Sequence, residues 1–221
     1  MAPKALVSWS SGKDSAYALL AARRSPSVEI VGLVTTVTAR FGRVSMHGVR
    51  EELLDRQADQ LGLPCAKVAI PSPCSNDVYE AEMRRVLLAA RAAGVTHVVF
   101  GDLFLRDIRE YREAQLADVG MRAVFPLWGR DTSALAREMV EAGVRAVLTC
   151  VDPERLAPAF AGRTFDTGLL DDLPAAVDPC GENGEFHTFV TAGPMFRGAI
   201  SVRGGEVVER DGFVFADLLP E

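Results

Sequence analysis

Several features that mark common functions are scarce in this sequence. The four cysteines, Cys65, Cys74, Cys150 and Cys180, form no C-x-x-C pair, and only three histidines accompany them. A structural zinc site or an iron–sulfur cluster is therefore poorly supported, and buried reduced thiols are the default reading. Positive charge is also short: 24 Lys and Arg stand against 30 Asp and Glu, for a net charge of −6. A large nucleic-acid footprint needs a basic face, so nucleic acid is not an expected partner. Arg23, Arg24, Arg40, Arg43 and Arg50 fall in the first quarter, and a solvated surface accounts for most of them. No apolar run has the length of a membrane span, and no cleavable signal pattern opens the chain. The expectation is a cytoplasmic protein without a membrane partner. Internal repeats and low-complexity segments are missing as well.

What is present begins near the amino terminus. The apolar run Ala5-Leu6-Val7-Ser8 enters a loop of small residues, Ser10-Ser11-Gly12-Lys13-Asp14-Ser15, and an alanine- and leucine-rich helix leaves it. Small side chains let backbone N–H groups approach phosphate oxygens, and a helix N-terminus adds unpaired donors and a favourable dipole. Lys13 offers a mobile positive charge, and Ser10, Ser11 and Ser15 offer hydroxyls. Two other phosphate loops fail on spacing. A Walker A loop needs glycine where Val7 stands and Ser or Thr where Asp14 stands, and the dinucleotide fingerprint needs three glycines where only Gly12 occurs. The stretch resembles the SGGKDS pyrophosphate loop of the N-type ATP pyrophosphatases, with Ser11 replacing the middle glycine. The competing reading is a strand–helix turn capped by Ser10 or Ser11.

Along the first half, short Val-, Ile- and Leu-rich runs at 5–8, 28–37, 66–70, 97–100 and 123–125 read as buried strands. Helical patterns at 15–24, 49–61, 78–93 and 108–120 alternate with them. In the second helix Val49, Leu53, Leu54, Ala58 and Leu61 form one stripe, ended by Gly62 and Pro64. In the third, Val78, Met83, Val86, Leu87 and Ala90 point to the core. Such alternation implies a Rossmann-like parallel sheet with helices on both faces. Ligands then sit beyond the carboxyl ends of the strands, where Ser10–Ser15, Gly101-Asp102 and the 35–49 connection fall. Asp102 is a site candidate by position, or else a cap of the following helix. A further helix at 132–142 and strand at 145–150 continue the pattern, followed by β-like runs at 186–191, 199–203, 206–210 and 213–216. Gly204-Gly205 reads as a hairpin turn. With 221 residues the chain can hold one large domain or two small ones. A soft boundary near Pro126 separates 1–126, the nucleotide-binding part, from 127–221, a smaller mixed α+β lobe.

A second polar stretch, Asp178-Pro179-Cys180-Gly181-Glu182-Asn183-Gly184-Glu185-Phe186-His187-Thr188, packs carboxylates, an amide, an imidazole and a hydroxyl just before a strand. Clustered carboxylates can hold Mg²⁺, orient an amine or steer proton transfer. Turn chemistry alone could also use Gly and Asn here. Taken in order, Ser10–Ser15, Met46-His47-Gly48-Val49-Arg50-Glu51-Glu52-Leu53-Leu54, Phe100-Gly101-Asp102, Pro126-Leu127-Trp128 and Cys180–Thr188 resemble the diphthine–ammonia ligase (diphthamide synthetase) family. That family belongs to the adenine-nucleotide α-hydrolase superfamily, and the likeness runs over essentially the whole chain. Ser11 and Tyr111-Arg112-Glu113 depart from its pattern.

The resemblance implies an amide-forming ligase. ATP adenylates a substrate carboxylate, pyrophosphate leaves, and free ammonia displaces AMP. The acceptor would be diphthine on a translation elongation factor, or another carboxylate. Ser10, Ser11, Gly12, Lys13, Asp14 and Ser15 would hold the phosphates, Asp14 would help Mg²⁺, and Leu33, Thr35, Gly101 and Asp102 would complete the ATP site. Catalytic roles fall to Lys13, Asp14, Glu182 and Glu185. His47, Arg50, Glu182, Asn183, Glu185, His187 and Thr188 would meet acceptor or ammonium, and a homo-oligomer stays open. Two readings compete: a transfer-RNA-modifying pyrophosphatase of the thiolation or lysidine type, and a non-catalytic adenine-nucleotide-binding protein.

Overall fold

A computed structural model describes residues 2–221. Strand β1 (Lys4–Ser8) buries Ala5 and Val7 completely and passes through Trp9–Gly12 into helix α1 (Lys13–Arg24). β2 (Glu29–Thr38) and the two-residue β3 (Arg43–Val44) precede α2 (Glu51–Leu61), which stops at Gly62 in the left-handed conformation. Only glycine adopts that geometry readily, so the helix ends there. β4 (Cys65–Ile70), α3 (Asn76–Ala92), β5 (Val95–Val99), α4 (Arg106–Asp118) and β6 (Arg122–Val124) complete the first half.

β4, β2, β1, β5 and β6 lie side by side in that order and run parallel, while β3 pairs antiparallel with the end of β2. The chain builds outward from β1 to β2 and β4, then returns to the other side of β1 for β5 and β6. Strand order therefore reverses between β1 and β5, and the loops after these two strands flank the crevice where parallel α/β sheets bind ligands. Leu87 of α3 and Leu116 of α4 cover one face with Leu6, Val68 and Val98; α1 and α2 cover the other. The expected Rossmann-like architecture is the one observed.

α5 (Thr132–Glu141), capped by the Asp131 carboxylate accepting from the Ala134 N–H at 2.8 Å, leads to β7 (Arg145–Val151). A 3₁₀ turn (Pro158–Phe160) and α6 (Thr167–Asp172) follow, then β8 (Phe186–Ala192), β9 (Val202–Arg210) and β10 (Phe213–Pro220). These strands form an antiparallel sheet in the order β8-β7-β10-β9. Its buried Phe186 and Phe189, with Phe165 from the segment before α6, share one core with Trp9, Leu19, Leu53 and Leu54. The second sheet thus packs over α1 and α2.

Two local expectations are corrected. Gly204-Gly205 is not a turn but lies inside β9, and the hairpin turns at Asp211-Gly212, both with positive φ (52° and 81°). Asp-Gly suits such a turn, whereas at Gly205 a Cβ would come within 3.2 Å of the Asp217 Cβ. Val78, assigned to the core face of the third helix, lies in the first turn of α3 and is 41% exposed.

Candidate active site

The cleft at the switch point encloses about 440 Å³ and is walled by Ser10, Lys13, Asp14, Gly101, Asp102, Glu182 and His187, with other neighbours. The Ser10–Ser15 loop folds on itself. Gly12 N–H donates to Ser10 Oγ at 3.3 Å, the Ser10 and Ser15 hydroxyls meet at 3.1 Å, and Ser15 Oγ donates to Gly12 C=O at 3.0 Å. Ser11 takes a left-handed φ of 71°, and its hydroxyl is buried without a partner. Backbone approach is close on both sides: a Cβ on Gly101 would stand 2.7 Å from the Asp14 carbonyl carbon, and one on Gly12 would meet the His47 ring at 2.7 Å. Glycine is needed for the two loops to touch.

The polar stretch before β8 closes onto this loop. Lys13 N–H donates to Thr188 Oγ1 at 3.0 Å, and Val190 N–H to Ser11 C=O at 2.9 Å. Lys13 itself is not a mobile charge. It is 1% exposed, donates to Asp14 Oδ2 at 2.9 Å and to the Cys180 carbonyl, and lies 5.1 and 5.4 Å from the Phe186 and Phe165 ring centres. Burial opposes its charge, but the Asp14 carboxylate and other nearby anionic groups outweigh it and raise its pKa. The Asp14 pKa is raised by burial despite the lysine, and its second oxygen has no partner.

Glu182 spans the cleft, with Oε1 accepting from the Leu103 N–H at 2.7 Å and the Phe104 N–H at 3.4 Å. Burial, reinforced by Asp14 and Asp102, pushes its carboxyl up to about 7. A carboxyl poised there can hold or release a proton near neutral pH. His47 and His187 stack with ring centres 4.6 Å apart. Burial lowers His47 to about 4 and His187 well below its ordinary value, so both imidazoles are neutral. Neutral His47 donates through Nδ1 to the Thr188 carbonyl at 2.9 Å. Asp102 is paired with Arg112 Nε at 3.0 Å and does not cap α4, whose N-cap position is Leu105.

Several expected site residues stand elsewhere. Leu33 is fully buried in the sheet, its N–H bonded to Pro64 C=O, and Thr35 is buried as well; neither is among the residues that line the cleft. Arg50 is committed to Asp217 of β10 through two bonds of 3.1 and 2.5 Å, outside the cleft lining. Glu185 is 2% exposed and also outside it. Its Oε1 accepts from the Asp178 N–H and Asn183 Nδ2, both at 3.0 Å, so it shapes the bend that presents Glu182. Asn183 is exposed and serves the same bend. The Cys180 thiol is buried and its pKa raised by burial, which leaves it inert as a nucleophile.

Sequence reasoning overlooked Gln57 and gave Arg112, noted only within Tyr111-Arg112-Glu113, no place in the site. Gln57 is fully buried: its Oε1 accepts from Trp9 Nε1 at 2.9 Å, and its Nε2 donates to Ser11 C=O at 3.1 Å and Val190 C=O at 2.8 Å. One side chain fixes loop, strand and helix together. Its signal was available, since Gln57 falls on the apolar stripe of the second helix between Leu53, Leu54 and Leu61. Arg112 lies on α4 with its guanidinium 4.6 Å from the Phe100 ring centre, and helical spacing alone does not single it out. Among the described residues no group of three or more His, Cys, Asp or Glu could by itself hold a metal ion. No helix there is long and apolar enough to cross a membrane.

A parallel α/β fold with a serine–glycine–lysine loop at its switch point defines a Rossmann-like phosphate-loop protein. Family models narrow this further: "Diphthamide synthase N-terminal domain" matches residues 3–123, and "Diphthamide synthase C-terminal domain" matches residues 131–215. The chain belongs to the diphthamide synthase family. It is 25% identical over 236 residues to the human diphthine–ammonia ligase, covering 95% of this chain and 86% of that protein. To the zebrafish (Danio rerio) diphthine–ammonia ligase it is 27% identical, over 77% of this chain and 72% of the other. A shorter match, 32% identical over 95 residues, covers 41% of this chain but spans only 16% of the Schizosaccharomyces pombe diphthine–ammonia ligase.

Proposed function

We propose that this chain is an AMP-forming carboxylate–ammonia ligase that uses ATP to convert diphthine, on a translation elongation factor, to its amide. Residues 1–126 would bind ATP and 127–221 would carry the acceptor side. The observation that supports the reading most is the junction of the two polar stretches in one cleft, through Lys13, Thr188 and Ser11. An isolated nucleotide sensor has no need of a carboxyl held near neutrality opposite its phosphate loop. A carboxylate is a poor acyl donor because oxide would have to leave. In the proposed reaction its oxygen attacks the α phosphorus of ATP, the bond to the β phosphate breaks, and pyrophosphate departs beside the α1 N-terminus. Ammonia then attacks the acyl carbon, AMP leaves, and the surplus proton passes to Glu182. The Lys13 ammonium contributes its field from within the wall.

The unpartnered Asp14 oxygen fits one ligand position on a phosphate-bound Mg²⁺, which typically takes one or two protein carboxylates. When bound, that ion neutralises phosphate charge. The reading is tested by incubating the protein with ATP, Mg²⁺, ammonium and diphthine-bearing elongation factor. AMP should form in step with amide, and Lys13→Met should reduce both by about 100-fold or more. Release of ADP instead of AMP, or equal turnover by variant and wild type, would refute it.

A further inference from the structure

β9 forms the open edge of the second sheet and pairs, among the described residues, with β10 alone. Seven of its inner positions are exposed, including Val207 at 58% and Val208 at 36%. A long exposed edge with β-branched residues is a template for another strand. The hairpin decides which backbone groups are free. A two-residue turn at Asp211-Gly212 makes its flanking pair, Arg210 and Phe213, a hydrogen-bonded pair, and the pattern alternates from there as far as Val207, before the β9–β10 register shifts by one residue between Ala216 and Leu218. Arg210 and Val208 thus point their N–H and C=O groups at β10. Val207 and Glu209 point theirs away from the sheet.

We infer that two copies of this chain associate by antiparallel pairing of β9 with β9, about a two-fold axis through Val208. In that register Val207 of each copy faces Glu209 of the other, so the outward-pointing residues exchange four backbone hydrogen bonds. Glu206 of each copy faces Arg210 of the other, giving two opposite-charge cross-strand pairs, and the two Val208 side chains meet at the centre. Neighbouring registers are worse. An axis through Glu209 sets that carboxylate against itself; an axis through Val207 leaves Glu206 facing Val208 with no charge partner. An axis between residues aligns outward groups with inward ones and forfeits the hydrogen bonds.

The pairing also bears on the cleft. Val208 and Arg210 line a groove of about 270 Å³ with Phe41, Met46 and Phe215, and Met46 lines the cleft as well. The second copy's Val208 would extend that groove's wall.

Sedimentation equilibrium on the full chain tests the inference. Wild type should sediment at twice the 23.8 kDa chain mass, and Glu206→Arg or Arg210→Glu, each opposing like charges twice, should weaken association at least tenfold. The double variant Glu206→Arg/Arg210→Glu should restore it, because the charges face each other again with signs exchanged. Thermal melts of the single variants, altered at exposed positions, should keep a folded transition. A wild type that stays monomeric, or a dimer indifferent to both single reversals, would overturn the proposal. So would failure of the double variant to recover while remaining folded.

Discussion

Replacing Ser11 by glycine should stabilise the protein, although it removes a side chain from a fully buried position. Ser11 holds a φ of 71° because its carbonyl must reach both Gln57 and the Val190 N–H across the loop. For a residue with a Cβ, the left-handed conformation costs roughly 1–2 kcal/mol. Its hydroxyl is buried without a partner, a further penalty of about 1–3 kcal/mol. Against these, glycine loses more backbone freedom on folding, roughly 0.5–1 kcal/mol, and forgoes a small buried carbon of about 0.8 kcal/mol. The balance favours Ser11→Gly by about 1–3 kcal/mol, each kcal/mol shifting the midpoint of a domain this size by about 2–4 °C. Ser11→Ala separates the contributions, because alanine loses the orphan hydroxyl but keeps the Cβ. Urea unfolding should therefore rank Ser below both Ala and Gly, with Ala and Gly within about 1 kcal/mol of each other because relief of the left-handed strain is offset by the backbone freedom and buried carbon that glycine loses. If alanine were no more stable than serine, the orphan-hydroxyl argument would fail, and if glycine were the least stable of the three, the whole account of the loop would fail.

Two other perturbations read the site through stability. Gln57→Leu keeps the volume but strands the Trp9 indole N–H and takes a donor from the Val190 and Ser11 carbonyls, the latter keeping its bond from the Val190 N–H, so urea unfolding should show a loss of about 2–3 kcal/mol, and an unchanged midpoint would contradict the loop's dependence on it. Glu182 has a folded pKa of about 7 against an ordinary 4.5, so the folded state binds the extra proton between those values. Its stabilising contribution is complete below pH 4.5 and is lost as pH rises through about 7. A comparison of melting temperature against pH should show Glu182→Gln lacking this loss, and parallel curves for variant and wild type would rule it out.

The parts of this protein that were legible in its sequence are those fixed by neighbours along the chain. β1, the small-residue loop and α1 follow from a buried run, a set of turn-permissive residues and an alanine-rich helix that are contiguous. The switch point followed from strand–helix alternation, because right-handed crossovers leave few topologies. What stayed hidden depends on partners distant in sequence. Arg50 sits in a segment shared with the family, yet it is drawn to Asp217, 167 positions away, through a contact no local pattern encodes. Glu185 and Glu182 look alike in sequence, two carboxylates among glycines. They diverge because the bend turns one onto the Asp178 N–H and the Asn183 side-chain amide and the other toward Leu103. The same distinction explains Lys13. Adjacency to Asp14 was evident, but its enclosure by Phe165, Phe186 and the Cys180 carbonyl arises only when the second sheet packs over α1. Residue type thus announced that chemistry occurs here, while the packing of the antiparallel sheet, which the legible runs of its strands do not encode, decided which carboxylate faces the cleft.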